Sequence, residues 1–189
     1  VAAGKNATIL HYSENRSATE ENDLILVDAG AQFKYYNGDI TRTFPVNGKF
    51  TERQKLIYDI VLRGQKMVIE RIKPGVPFKS LNESLKVFYL RELKKIGLIG
   101  AGGTIDDVSE YYYHNVSHTL GLETHDAGRY REGILEAGMV MTVEPGLYIE
   151  KEGIGIRIED DVLVTENGRE VLSKDIIKEI SDIEEYMGG

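Results

Sequence analysis

"LILVDAGAQFKYYNGDITRTF" (residues 24–44) decides how this chain folds. An apolar, β-branched run ends at Asp28-Ala29-Gly30. A tyrosine-rich stretch then leads to Gly38-Asp39, and a second β-branched run follows. The pattern predicts two strands around a bend. "MTVEPG" (141–146) echoes "LILVDAG" (24–30): an apolar run, a valine, a carboxylate, a small residue or proline, then glycine. Each is followed by a strand carrying a further acid, Asp39 in the first case and Glu159 in the second. The echo points to two related hairpin halves. Shared turn chemistry would produce it too.

Outward from these halves, "ATILHYS" (7–13) is apolar and β-rich and predicts a strand. "TERQKLIYDIVLRGQKMVIERIKPG" (51–75) predicts a helix. Thr51 and Gln54 form a capping box. Ile57, Ile60, Val61, Met67 and Val68 form an apolar face, and Pro74-Gly75 stops the helix. Ser80 and Glu83 predict a second capping box at the head of "SLNESLKVFYLRELKKIG" (80–97). "GAGGTI" (100–105) lacks the Gly-Lys-Ser/Thr of a phosphate loop and reads as a connection. "MVMTVEPGLYIE" (139–150) predicts strand, turn, strand. "GIGIRIEDDVLVTENG" (153–168) predicts another strand pair, closed by Asn167-Gly168. Residues 174–187 form a short charged segment with helical character.

A net charge of −8 argues against nucleic-acid binding. No run approaches the roughly 18 apolar residues of a membrane span, and no signal-peptide pattern opens the chain. With no cysteine, disulfides and thiolate metal sites are excluded. A cytoplasmic location is expected. Val1 stands where an initiator methionine would be, so a fragment or a processed chain is expected.

Any metal must therefore be held by His, Asp and Glu. Three of the four histidines fall in "HNVSHTLGLETHD" (114–126). Asp28, Asp39, Glu144 and Glu159 lie in or beside apolar strands, where an unpaired carboxylate is costly. Singly, each has a plain explanation: a turn former, a solvent-facing acid, or an ion-pair partner of Arg157 or Arg42. Jointly, convergence explains them better. Converging carboxylates repel, and some of their pKa values rise. Two divalent ions would balance four negative charges. Carboxylate with a little imidazole suits manganese, and cobalt, iron and zinc also fit. Two such ions about 3.5–4 Å apart could share a water and make it a hydroxide, the basis of metal-assisted hydrolysis.

"LILVDAGAQFKYYNGDITRTFPVNGKFT", "HNVSHTLGLETHD", "TVEPGLYI" and "GIRIEDD" resemble the proline-specific metallopeptidases, aminopeptidase P and prolidase, which share the pita-bread fold with methionine aminopeptidase and creatinase. The resemblance implies an α+β fold with a curved antiparallel sheet flanked by helices. It implies that residues 1–189 are a catalytic domain without its first part and without the family's N-terminal domain. It also implies a ligand set: Asp28 on one metal, Asp39 bridging both, His118 and Glu144 on the second, and Glu159 as the second bridge. Glu144 would also help move a proton. His125 would steady the substrate and tetrahedral intermediate, and His11 and His114 would lie on the substrate side. Arg157 would support the site beside Glu159, with Tyr148 as a hydrogen-bond partner. One departure is Asn115, where the family commonly has glycine.

The expected activity is Xaa-Pro aminopeptidase, a hydroxide between two metals cleaving the bond before proline. "GDITRTFPVNGKFT" and "RQKLIYDIVL" resemble aminopeptidase P most. Prolidase and a catalytically silent peptide-binding module are the alternatives. The retained ligand set argues against metal-free hydrolysis of the creatinase kind. Expected partners are peptides with proline second and, at full length, further copies of the protein. No nucleic acid or membrane partner is expected.

Overall fold

A computed structural model describes residues 1–127 and 130–188. In chain order the elements are β1 (Ala2–Ala3), β2 (Leu24–Ala29), β3 (Gln32–Phe33), β4 (Tyr36–Asn37), β5 (Ile40–Pro45), α1 (Glu52–Arg71), α2 (Phe78–Lys95), β6 (Val140–Val143), β7 (Gly146–Ile149), β8 (Ile154–Arg157), β9 (Asp160–Thr165), β10 (Gly168–Val171) and α3 (Ile180–Met187). The strands pair antiparallel in the orders β1-β2-β5, β10-β9-β6, β7-β8 and β3-β4.

The 24–44 stretch is the expected strand pair. Leu24 to Ala29 run opposite Pro45 to Ile40. Its tip carries a small extra hairpin, with Lys34 and Tyr35 both at positive φ. Two central residues at positive φ match the twist of a tight hairpin. This tip docks on the histidine-bearing loop: Tyr36 Oη donates to Leu120 O at 3.0 Å, and Asn37 Nδ2 to Leu122 O at 2.7 Å.

The second half differs from its sequence reading. β6 and β7 are consecutive but pair with different strands, β9 and β8. Proline has no N–H for a ladder, and the chain bends at Glu144-Pro145. The strands they pair with break likewise at Ile158-Glu159, between β8 and β9. The hairpin that follows joins β9 to β10 through Glu166-Asn167, and Gly168 already pairs with Thr165. The two breaks face one another, with Ile158 N donating to Pro145 O at 3.3 Å.

Helices α1 and α2 cover the sheets. The Thr51–Gln54 capping box is present on both sides. Ile57, Ile60, Val61 and Val68 are buried as expected, and Met67 packs at the edge of the core. They meet Leu81, Leu85 and Leu93 of α2 and Met141, Val143, Ile156, Val162 and Val164 of the strands. Each fully buried aliphatic of this size contributes about 1.5–3 kcal/mol. Gly64 lets the helices approach: a Cβ there would lie 2.9 Å from Leu85 Cδ1. α2 starts at Phe78 behind Pro77, two residues before the predicted cap. Ser80 Oγ donates to Pro77 O instead of accepting an N–H, so the second capping box is absent.

The predicted strand at 7–13 is also absent. Gly4–Thr8 form a 3-10 turn, and His11 sits at φ 53°. Local side-chain bonds compete with strand pairing there: Thr8 Oγ1 donates to Lys5 O at 2.7 Å and Asn6 Nδ2 to Ser17 Oγ at 2.7 Å. The turn lies directly on β8, where a Cβ on Gly155 would stand 2.2 Å from Ala7 O. Residues 100–105 are turn and coil as expected, and the charged tail contains α3, anchored by buried Ile183. Among the described residues, no helix is long and apolar enough to cross a membrane.

Candidate metal centre

The two aspartates meet because the neck between β2 and β5 is made of glycine. Asp28 lies near the end of β2, opposite Thr41, and Asp39 immediately precedes β5. A Cβ on Gly30 would fall 1.8 Å from Gly38 O, so no other residue fits there. Gly38 N closes the neck on Ala31 O at 2.9 Å. Glu144 and Glu159 occupy the two facing breaks. Their N–H groups donate to Val116 O at 2.9 Å and Thr41 O at 3.0 Å. His118 is held by Thr142 on β6: Thr142 N donates to His118 O at 2.9 Å and His118 N to Thr142 Oγ1 at 3.1 Å. His118 Nδ1 lies by Thr119 O, which turns Nε2 toward Asp39 Oδ2 and Glu144 Oε1, each 3.5 Å away.

Three overlapping trios result, each with donor atoms within 4.8 Å of one another: Asp28, Asp39, Glu159; His118, Glu144, Glu159; and Asp39, His118, His125. All of them line one cavity of about 630 Å³, together with His11, His114 and Arg157. Tyr148 is buried below it. Its hydroxyl lies 2.8 Å from His114 Nε2 and accepts from Arg157 Nη1 at 3.2 Å. Every residue singled out from the sequence thus falls in or against one cavity. His125 differs in placement. Its ring lies 4.3 Å from that of His118, centre to centre, and its nitrogen reaches the ligand cluster. The loop that brings it there closes through Asp126 N on Thr119 O at 3.1 Å. Asp28 is also less buried than its apolar strand suggested, with its side chain 38% exposed.

The acids carry the strain of crowding. Burial pushes Glu144 up to about 7, with His118 and Arg157 pulling against it and Asp39 and Asp28 adding to it. Burial also drives Glu159 well above the carboxylate range, reinforced by Glu144 and Asp39. Asp28 is raised by burial despite the Arg157 guanidinium 2.6 Å away. Burial would raise Asp39 too, but hydrogen bonds with His118 and Asp28 outweigh it and hold it low. The same bond to Asp39 keeps His118 above its usual value against burial. His114, buried and facing Arg157, is pushed down to about 4 and is neutral at pH 7.

Several supporting residues carried no clear sequence signal. Thr41 Oγ1 donates to Glu159 Oε2 at 2.6 Å and accepts from Arg157 Nε at 3.1 Å. Thr43 Oγ1 donates to Arg157 O at 2.9 Å. Two fully buried hydroxyls at period two in "ITRTF" were the legible hint. Asp161, whose carboxylate accepts from Asp39 N at 3.2 Å, is raised by burial to about 6. Arg42 does not pair with the Glu159 carboxylate. It donates to Glu159 O at 2.5 Å and forms its ion pair with Asp160 at 2.7 Å.

Residues 1–166 match the model of metallopeptidase family M24. The chain is a member of family M24. The Xaa-Pro aminopeptidase of Haemophilus influenzae is 45% identical over 204 residues, covering 99% of this chain and 47% of that protein. The Escherichia coli Xaa-Pro aminopeptidase is 43% identical, covering 99% and 46%. Among solved structures, a candidate aminopeptidase P from Bacillus anthracis superposes with a TM-score of 0.95 at 56% identity, covering 99% of this chain and 44% of that one. E. coli aminopeptidase P with the inhibitor Pro-Leu gives 0.93 at 43% identity, covering 99% and 46%. These matches establish the α+β, pita-bread fold of this M24 chain and its similarity to Xaa-Pro aminopeptidases. The M24 chain spans under half the length of the relatives it matches.

Proposed function

We propose that this chain is a catalytic domain, residues 1–189, that removes an N-terminal residue from peptides with proline in second place, using two divalent cations. The observation that carries this reading is the convergence of Asp28, Asp39, Glu144 and Glu159 with His118 on one cavity. The donor set fits such ions. It is rich in carboxylate oxygen, and burial first, with the neighbouring acids adding to it, raises Glu144 and Glu159 against the pull of Arg157. Oxygen-rich sets favour harder ions, manganese first, with cobalt, iron and zinc as competitors. Asp28, Asp39 and Glu159 would hold one cation, and Asp39, Glu159, His118 and Glu144 the other. When bound, the pair supplies the charge that lowers the pKa of water and polarises the scissile carbonyl.

The remaining steps belong to the chain's own groups. Glu144, beside His118 on the cavity wall, takes the proton of the attacking water and returns it. The bond before proline offers no N–H to bind, and like any amide its leaving nitrogen must gain a proton to depart. His125 and His11, with ring centres 6.2 Å apart in the same cavity, steady the carbonyl oxygen as charge develops. Neutral His114 is oriented by Tyr148, which is itself bound to Arg157, and holds the substrate beside the ions. Arg157 keeps Asp28 in place.

The test is an assay of the full-length protein with manganese on an Xaa-Pro dipeptide and on a longer Xaa-Pro peptide. Release of the first residue from the longer peptide is expected. Cleavage confined to the dipeptide would make the protein a prolidase. Peptide binding without hydrolysis or bound metal would make it a silent module.

A further inference from the structure

Gln65 sits in the middle of α1, outside the cavity, and is fully buried. A buried amide is costly unless its polar atoms are matched, and here they are. Nε2 donates to Val143 O at 3.3 Å and to Ile158 O at 3.1 Å, and Oε1 accepts from Lys178 Nζ at 3.0 Å. Val143 and Ile158 are the residues immediately before Glu144 and Glu159. A peptide unit is planar, so the carbonyl of Val143 and the N–H of Glu144 turn together. The same holds for Ile158 and Glu159. The N–H ends of these two planes are held by Val116 O and Thr41 O. Gln65 holds both carbonyl ends with one amide group. Lys178, which fixes that amide, is paired with buried Asp160, and Asp160 with Arg42.

We propose that Gln65 is a positioning residue that sets the spacing and orientation of Glu144 and Glu159 from behind the cavity, with Lys178 as its anchor. This rests on the metal-binding reading above. The chemistry needs two N–H donors and an acceptor on one short side chain. An ionised glutamate keeps the contact to Lys178 but donates to neither carbonyl. Methionine fills the space and makes none of the three bonds. Outer-sphere partners of this kind typically change metal affinity about 10–100-fold when removed.

The test measures manganese binding to the full chain by equilibrium dialysis, for the parent, Gln65→Glu and Gln65→Met. Circular dichroism of the metal-free proteins reports folding. Both variants are expected to fold and to bind manganese about 10–100-fold more weakly than the parent. Equal weakening in Gln65→Glu identifies the lost N–H donors as the cause. Folded variants with parental affinity would overturn the proposal. So would parental affinity in Gln65→Glu alone, which would leave only the Lys178 contact, or failure of both variants to fold, which would make Gln65 a packing residue. A parent that binds no manganese would overturn the metal reading itself. Parental binding with unchanged variants would overturn the role of Gln65 alone.

Discussion

Glu144 is the residue on which charge, burial and chemistry meet. In the metal-free protein burial raises its carboxyl to about 7, and in the reaction its place in the cavity beside His118 suits it to carry the proton of the attacking water. Glu144→Ala is expected to lower kcat by about 10²–10⁴-fold in a peptide assay. The shifted acid also makes the metal-free protein pH-sensitive. An unfolded glutamate loses its proton near its model value of 4.5, while the folded one keeps it until about 7. Between those limits the unfolded state binds fewer protons, so stability falls as pH rises. The loss is on the order of 3–4 kcal/mol, complete above pH 7 and absent below 4.5. Urea unfolding of metal-stripped protein at pH 5 and pH 7.5 would reveal it. A metal-free protein more stable at pH 7.5 would refute it. At Gly30, Ala is expected to pry open the neck between Asp28 and Asp39. A Cβ 1.8 Å from Gly38 O cannot be accommodated without backbone movement. The cost is about 1–3 kcal/mol in denaturant unfolding, together with weaker manganese binding.

At the scale of elements, the strand pair at 24–44 and the two long helices were legible because their periodicity matched what buries them. α1 was readable to its capping box, since Thr51 and Gln54 satisfy each other locally. Elements shaped by distant partners were not. "ATILHYS" has strand composition, yet the turn at Gly4–Thr8 follows from local side-chain bonds and from β8 pressing on Ala7. β6 and β7 read as one hairpin because sequence shows the Glu144-Pro145 bend but not that it sends the strands to separate partners. That break is what leaves Glu144 and Glu159 outside any ladder and free to face the cavity. The acids and histidines were readable for the same reason a buried charge is costly: each stood beside an apolar strand. Thr41, Asp161 and Gln65 were not, because their roles consist of bonds to groups more than 70 positions away. Close helix packing gives a further expectation. Gly64→Ala should lower stability by about 1–3 kcal/mol through contact with Leu85, seen as a lower thermal midpoint with metal affinity unchanged.

For the whole molecule, the cavity is assembled from segments spread between His11 and Glu159, so folding and metal binding are one linked equilibrium. A cation that binds only the folded state stabilises it by about 2.7 kcal/mol at a hundred times its Kd. The thermal midpoint should therefore rise with added manganese and fall on chelation, which differential scanning calorimetry can follow. The account as a whole stands on metal-dependent hydrolysis at the bond before proline. The most direct measurement strips the full-length protein of metal, assays it on a longer Xaa-Pro peptide, and repeats the assay after manganese is restored. Loss of hydrolysis on stripping, with recovery as manganese is restored, is the predicted result. Undiminished hydrolysis by the fully stripped protein would contradict it.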